Sequence, residues 1–337
     1  MQSDTARDFF RSIPLLAGLG NAAVADLQAA SRPFSVQAGQ QLFRQYDKAD
    51  GMYLISRGHV RVATRAPGDD VVDLVELGSG DILGEFSLLD GGRRSATAEA
   101  VEGTTGFFLS LRSFEGLRHT AHHSAFEVID RIRIVVARRA RAVAAEIASE
   151  PVLPGITTLR AAPALHMNSL RPAGQCDGLK HSLAALPTFS EFTAGEIGTL
   201  LSMCECLNAP RDTVLSAFDS KLEFLYVVLR GALRASVPRG SEIEQLSIYG
   251  PGALVEAVSL IDGGATCTQI DVREDAQILR MARSQFDTLR MSHSEAGSKL
   301  LDQINLQLIS DLRRLDRHLG RVRSVRRFND QQRASHV

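Results

Sequence analysis

At 337 residues, the chain is long enough for two domains of roughly 150 residues each. Its formal net charge of −1 supplies none of the excess charge that would select nucleic acid, an anionic surface or an acidic substrate. The composition is 44% hydrophobic and 23% charged, yet no apolar run reaches the ~18 residues that cross a bilayer. The first dozen residues also lack a signal peptide's apolar core, so a cytoplasmic location is expected.

In chain order, a short helix is predicted at Ala22–Ala30, followed by short β-branched and apolar segments separated by glycine and Asp/Asn turns. Gly51-Met-Tyr-Leu-Ile-Ser-Arg-Gly58, Val60–Ala63 and Val71–Val75 are the clearest strands. Strands this short and this regularly interrupted predict a β-sandwich or barrel. A long helix closes the unit, with Phe126, Ile129, Ile132, Val136, Ala140 and Val143 forming one apolar stripe at three- and four-residue steps. Glu150–Lys180 holds Pro151, Pro154, Pro163 and Pro172 without periodicity and reads as a linker. A second helix at Gly195–Met203 opens another run of short strands. The last helix carries Leu301, Ile304, Leu308, Leu312, Leu315, Leu319 and Val322 on one stripe, and then a basic tail.

The two halves are copies. Ser87-Leu-Leu-Asp-Gly-Gly92 recurs as Ser259-Leu-Ile-Asp-Gly-Gly264, Leu77–Leu83 as Tyr249–Val255, and Phe114–Arg118 as Phe286–Arg290, all at one offset. Arg57-Gly58 and Arg230-Gly231 follow after a one-residue shift. Anchors in the same order at near-constant spacing indicate duplication. The expected fold is mainly β with flanking helices: two tandem jelly-roll-like barrels, each closed by a long C-terminal helix. The expected boundaries are 12–149, a linker at 150–182, 183–322 and a tail at 323–337.

The chemistry concentrates in Gly84-Glu-Phe-Ser-Leu-Leu-Asp-Gly-Gly-Arg-Arg-Ser-Ala-Thr-Ala98. Gly84 permits close backbone approach. Phe86–Leu89 suits one helical turn whose free N–H groups attract an anion. Arg94 offers a planar donor fork to phosphate oxygens, and Glu85 is an acceptor fitted to a hydroxyl. Phe86, Leu88 and Leu89 would anchor the turn and keep water from the charged contact.

This segment resembles the phosphate-binding cassette of cyclic-nucleotide-binding domains, with Gly-Glu, an apolar turn and Arg-Ser-Ala-Thr at the family's separation. Val36-x-Ala-Gly39-Gln-x-Leu-Phe43 and Tyr46-Asp47…Gly51–Gly58 resemble the family's early strands and turns. The resemblance spans about residues 12–145 and, more weakly, 183–322. It implies a ligand site made of Gly84, Glu85, Phe86, Ser87, Leu88, Arg94, Ser95 and Ala96. In it Glu85 holds the ribose 2′-hydroxyl, Arg94 the cyclic phosphate, and the Ser87 and Ser95 N–H groups complete the cradle. In the family a threonine after the arginine accompanies cGMP selectivity, so Ser95 favours cAMP over cGMP. The Thr-Ser pair with which the catabolite-activator type reads adenine is missing around Val143 and Ala144. At the repeat offset Ala257 stands opposite Glu85 and Thr266 opposite Arg94. A one-residue slip would align Glu256 with Glu85, but no arginine occurs from Gly240 to Val272. The second copy is therefore expected to bind no cyclic nucleotide, because a buried phosphodiester without a cation is costly.

No P-loop, kinase signature, nucleophile elbow or metal-ligand spacing occurs, and no enzyme, cofactor or metal is expected. The cysteines Cys176, Cys204, Cys206 and Cys267 fit ordinary thiols. The layout resembles the tandem regulatory subunits of the cAMP-dependent protein kinase. The expected role is a cyclic-nucleotide receptor that signals through contact with an effector protein, without an output domain of its own. The apolar stripes suggest a homodimer through the closing helices. Two alternatives stand: a DNA-binding regulator of the catabolite-activator type, disfavoured by the few residues after Val322, and a scaffold that no longer binds ligand.

Overall fold

The computed structural model describes residues 8–65, 71–151, 158–160, 169–173, 178–221, 223–292 and 294–334. The chain divides into two compact units, Met1–Val136 with Leu319–Val337, and Ala137–His318.

In the first unit, helix α1 (Asn21–Ala30) precedes eight short strands. These are β1 (Arg32–Val36), β2 (Gln41–Phe43), β3 (Gly51–Arg57), β4 (Val60–Arg65), β5 (Val71–Leu77), β6 (Ile82–Leu83), β7 (Thr97–Ala100) and β8 (Thr104–Ser110). They form two four-stranded sheets, β1-β8-β3-β6 and β2-β7-β4-β5, whose pairs are antiparallel. Alternation makes the core: Val60 and Val62 are buried while Arg61 between them is exposed. Ile55, Val60, Leu83 and Ala98 join across the two sheets, with Phe43, Tyr53 and Leu77 packed against them. Helix α2 (Phe86–Asp90) interrupts the β6–β7 connection, and α3 (Leu111–Thr120) follows β8. The Ser110 hydroxyl caps α3 by accepting from the Ser113 N–H.

The second unit repeats this order with longer strands. Helix α6 (Ala194–Ser202), started by a Thr193/Glu196 capping box, leads into β11 (Cys204–Ala209), β12 (Val214–Ser216), β13 (Phe224–Arg239), β14 (Glu242–Tyr249), β15 (Leu254–Val255) and β16 (Gln269–Ala282). Helix α7 (Ala257–Asp262) takes the place that α2 has in the first copy, and α8 (Arg283–Met291) that of α3. With β9 (Thr158–Arg160) and β10 (Arg171–Pro172) at its edges, the sheet order is β10-β11-β16-β13-β14-β9, with β12 on β16 and β15 on β13. Tyr226, Val228, Leu233, Ala235, Val272 and Ile278 are the centre of its core. The mainly β, two-copy architecture therefore holds, though the strands form open sheets and not closed barrels.

Three local features depart from the sequence-based expectation. Within the presumed linker, β9 (Thr158–Arg160) pairs with β14 and β10 (Arg171–Pro172) with β11; a short helix α5 (Leu179–Ala184) follows. Irregular, proline-rich stretches can still satisfy the free hydrogen bonds of a sheet edge, which is what β9 and β10 do. Pro154, Pro163 and Cys176 lie outside the described residues. The closing helices α4 (His122–Ser149) and α9 (Glu295–Ala334) also outrun their own copies. At 1.5 Å per residue they are roughly 40 and 60 Å long, and each passes from one unit's residues to the other's, after Val136 and after His318. Their stripes are buried within the single chain, with Ile132, Ile304 and Leu308 fully inaccessible. Third, the tail beyond Val322 is helical to Ala334 and engages the first unit. Arg323 donates to the carbonyls of Asp73 and Leu74 (3.2 Å to Leu74), and Arg327 to that of Val71 at 2.9 Å. These are the open carbonyls of β5, the last strand of its sheet.

Candidate functional site

The first cassette is shaped by two left-handed glycines. Gly84 (φ +76°) turns the chain out of β6, and Gly91 (φ +58°) ends α2, donating to the Ser87 carbonyl. A Cβ on Gly84 would overlap Nη1 of Arg94, so the glycine is required twice, by conformation and by space. Between them Glu85, Phe86, Ser87 and Leu88 are all buried, as are Arg94 and Ala96; Gly84 and Ser95 are half-buried. Ser87 is spent locally, its N–H and hydroxyl both donating to the Gly84 carbonyl at 3.2 and 2.7 Å.

Arg94 is held from behind by a two-way backbone clasp. Its N–H donates to the Asp47 carbonyl and its carbonyl accepts from Tyr46 N–H, both at 2.9 Å. The side chain is 4% exposed. Nη2 donates to Asp50 Oδ1 at 2.6 Å and to the Gly51 carbonyl at 2.7 Å, and Nη1 to the Gly84 carbonyl at 3.2 Å. The guanidinium lies over the Phe43 ring at 4.1 Å. Its buried Nε has no hydrogen-bond partner. The carboxylate that balances its charge, Asp50, has a side chain 65% exposed. A buried guanidinium with one N–H unpartnered and a solvent-exposed counter-ion retains donor capacity that the surrounding chain does not use.

All eight residues inferred from the sequence thus fall on one continuous turn between β6 and β7. Sequence reasoning missed Asp50 and Phe43. Phe43 stood in a quoted motif, but nothing in its spacing signals contact with Arg94. Asp50 reads as an ordinary turn residue.

The second cassette keeps the backbone and replaces the chemistry. Glu256 (φ +75°) matches Gly84, α7 matches α2, and Gly263 (φ +74°) matches Gly91. The slipped alignment that would pair Glu256 with Glu85 is thereby excluded. The clasp is preserved as well, with Asp219 N–H donating to the Thr266 carbonyl at 2.9 Å and Thr266 N–H to the Ser220 carbonyl at 2.8 Å. Thr266 cannot reach across the pocket; its hydroxyl bonds to Ser220 and Ala217 beside it. What remains is a cavity of about 30 Å³ bordered by Tyr249, Glu256, Cys267, Asp311 and Arg314. That is room for about one water, where small-molecule sites need roughly 300 Å³ or more. Glu256 accepts from the Ser216 hydroxyl, and Asp311, on α9, from Gln307 at 2.9 Å. Burial pushes both carboxyls up to about 7.

Burial likewise raises the Cys204 and Cys267 thiols to about 12, which leaves them without thiolate character at neutral pH. Among the described residues no group of acidic, histidine or cysteine side chains is arranged to hold a metal. No helix among them is long and apolar enough to cross a membrane.

The family model described as the cyclic nucleotide-binding domain matches residues 33–121 and again 206–293, together just over half of the chain. A cyclic nucleotide-gated potassium channel of Rhizobium etli is 39% identical over 100 residues, 28% of this chain and 26% of the channel. The cAMP-dependent protein kinase type II regulatory subunit of Drosophila melanogaster is 35% identical over 112 residues, 33% of this chain and 29% of that protein. The match thus spans less than a third of either relative. Among solved structures, the regulatory domain of Toxoplasma gondii PKA with cAMP aligns over 89% of this chain and 95% of its own. Its identity to this chain is 15% and its TM-score 0.33.

Proposed function

Since the chain belongs to the cyclic nucleotide-binding domain family, with two copies in tandem, we propose that it is a cytoplasmic receptor for one cyclic nucleotide per chain, bound by the first copy. The observation that carries this reading is Arg94, buried, with one N–H unpartnered and a counter-ion, Asp50, whose side chain is exposed. Arg94 would hold the cyclic phosphate, with the Ser95 N–H beside it and the Ser87 N–H released from the Gly84 carbonyl to join it, and Glu85 the ribose 2′-hydroxyl. Gly84, Phe86, Leu88 and Ala96 shape the pocket. Ser95, and the printed name of one relative as the regulatory subunit of a cAMP-dependent kinase, favour cAMP over cGMP. The receptor would signal by presenting a changed surface to an effector protein and would not be an enzyme. A DNA-binding reading loses support because Arg323 and Arg327, two of the basic residues it would enlist, are engaged on β5 carbonyls.

Calorimetric titration of the wild type and Arg94→Ala with cAMP and cGMP tests this. One site per chain is expected. Arg94→Ala should lose on the order of 2–5 kcal/mol of affinity, as when one partner of a buried charge pair is truncated. Glu85→Ala should lose less, since a hydrogen bond goes but no paired charge. Two sites per chain would overturn the assignment of the second copy. No binding of either nucleotide would leave the scaffold reading in its place.

A further inference from the structure

The second cassette is filled, and what fills it is an arginine from elsewhere in the chain. Arg141, on α4, lies 121 residues before its main partner. Its Nε and Nη2 grip Asp262 side-on at 2.6 and 2.7 Å, Nη1 donates to the Ala265 carbonyl, and Nη2 lies 3.3 Å from the Ser259 hydroxyl. Asp262 is 3% exposed. It ends α7 and also accepts from the Gly264 N–H at 2.9 Å, the same turn that Asp90 makes with Gly92 in the first copy. A Cβ on Gly264 would come within 2.6 Å of the Arg141 guanidinium carbon, so the cassette backbone is moulded against the guanidinium.

The charge of the pocket explains the occupant. In the first copy the cassette carries its own buried arginine, Arg94. In the second, the arginine position is Thr266, Glu256 replaces the first glycine, and Asp311 enters from α9. Arg314 borders the same cavity and Arg283 reaches the Ser259 and Leu260 carbonyls at 3.5 Å from outside the turn. The inherited turn now presents Asp262, a serine hydroxyl and a carbonyl as three acceptors in an arc, the complement of a planar guanidinium fork. We propose that the second copy's cassette has inverted its specificity from anion to guanidinium, and that Arg141 of α4 is its resident ligand, holding the second half of that helix to α7.

The inference does not depend on nucleotide binding by the first copy, and its test uses none. Hydrogen exchange of the full chain, followed by mass spectrometry over peptides covering 256–268, reads the order of the cassette turn. Arg141→Ala is expected to speed exchange there at least ten-fold while β11–β13 amides keep their protection. Methylguanidinium chloride at tens of millimolar should restore protection to Arg141→Ala more than sodium chloride at the same concentration. It should fail to do so for Arg141→Ala combined with Asp262→Asn. Arg141→Lys, which keeps the charge and loses the fork, should fall between. Unchanged exchange in Arg141→Ala, or equal effects of the two salts, would overturn the proposal. If Arg141→Ala does not fold, Arg141→Lys and Asp262→Asn carry the same comparison, and wild-type protection in both would overturn it.

Discussion

The paired acids Glu256 and Asp311 make this protein's stability respond to pH in the direction opposite to ordinary acid denaturation. An unfolded glutamic acid titrates near its ordinary value of 4.5, whereas Glu256 in the fold is pushed up to about 7, first by burial and further by Asp311 nearby. Between those values the native state retains a proton that the unfolded chain has released, so falling pH favours folding. Above about 7 the carboxyl must be buried as an anion and its full penalty applies; below 4.5 both states are protonated and the penalty vanishes. At 1.36 kcal/mol per pH unit, Glu256 alone is worth about 3 kcal/mol. For a unit of this size that corresponds to roughly 6–12 °C in Tm. Asp311, raised from 3.8 to about 7, adds to it in the same direction. The measurement is urea unfolding and Tm between pH 5.5 and 8. His59, raised chiefly by its hydrogen bond to Glu102, also favours folding at the lower pH. Glu256→Gln therefore supplies the reference: it keeps a polar partner for Ser216 and removes the titration. Between pH 8 and 5.5, which spans only part of that range, the wild type should gain about 2 kcal/mol of stability relative to Glu256→Gln. Equal pH slopes in wild type, Glu256→Gln and Asp311→Asn would refute the reasoning. Carboxylates shifted the other way do not interfere. Glu244, for which the His318 and Arg239 hydrogen bonds outweigh burial, is lowered and loses its contribution only below the ordinary carboxylate range.

Three other outcomes follow from the same contacts. Asp50→Asn should tighten cyclic-nucleotide binding by roughly two- to five-fold in calorimetry, since an ion pair whose acid side is exposed, of about 0.5–1 kcal/mol, no longer competes for Arg94; weaker binding would mean that Asp50 helps to place the guanidinium for its ligand. Gly84→Ala should abolish measurable binding and cost about 1–2 kcal/mol of stability, because the left-handed backbone is strained for alanine and its Cβ displaces Arg94; chemical denaturation beside the titration would expose a variant that binds normally. Leu308→Ala, at a fully buried position on α9, should cost about 2–5 kcal/mol, and a loss under 1 kcal/mol would contradict the burial of that stripe.

Much of this molecule could be read from local order in the chain. Glycine and Asp/Asn turns between β-branched runs predicted β3, β4 and β5 within one or two residues, because strand alternation and turn conformations are decided by near neighbours. The duplication was legible for the same reason: Gly84 and Glu256, Gly91 and Gly263, α2 and α7 agree in backbone conformation as they do in offset. The cassette residues, compressed into one turn, came with it. What sequence order cannot encode is which distant side chain completes a pocket. Asp50 and Phe43 reach Arg94 only because β2 and β3 pass the cassette in the folded sheets. Arg141 finds Asp262 across 121 residues, and Arg323 finds the carbonyl of Leu74 across 249. Both arginines lie on helices whose periodicity announces an apolar stripe and is silent about the polar face. The sequence by itself therefore determined two copies of one cassette, one with its arginine and one without. Only the tertiary structure decided that buried acids line the second and that an arginine from α4 grips its turn, since that outcome rests on burial and charge brought together by the fold.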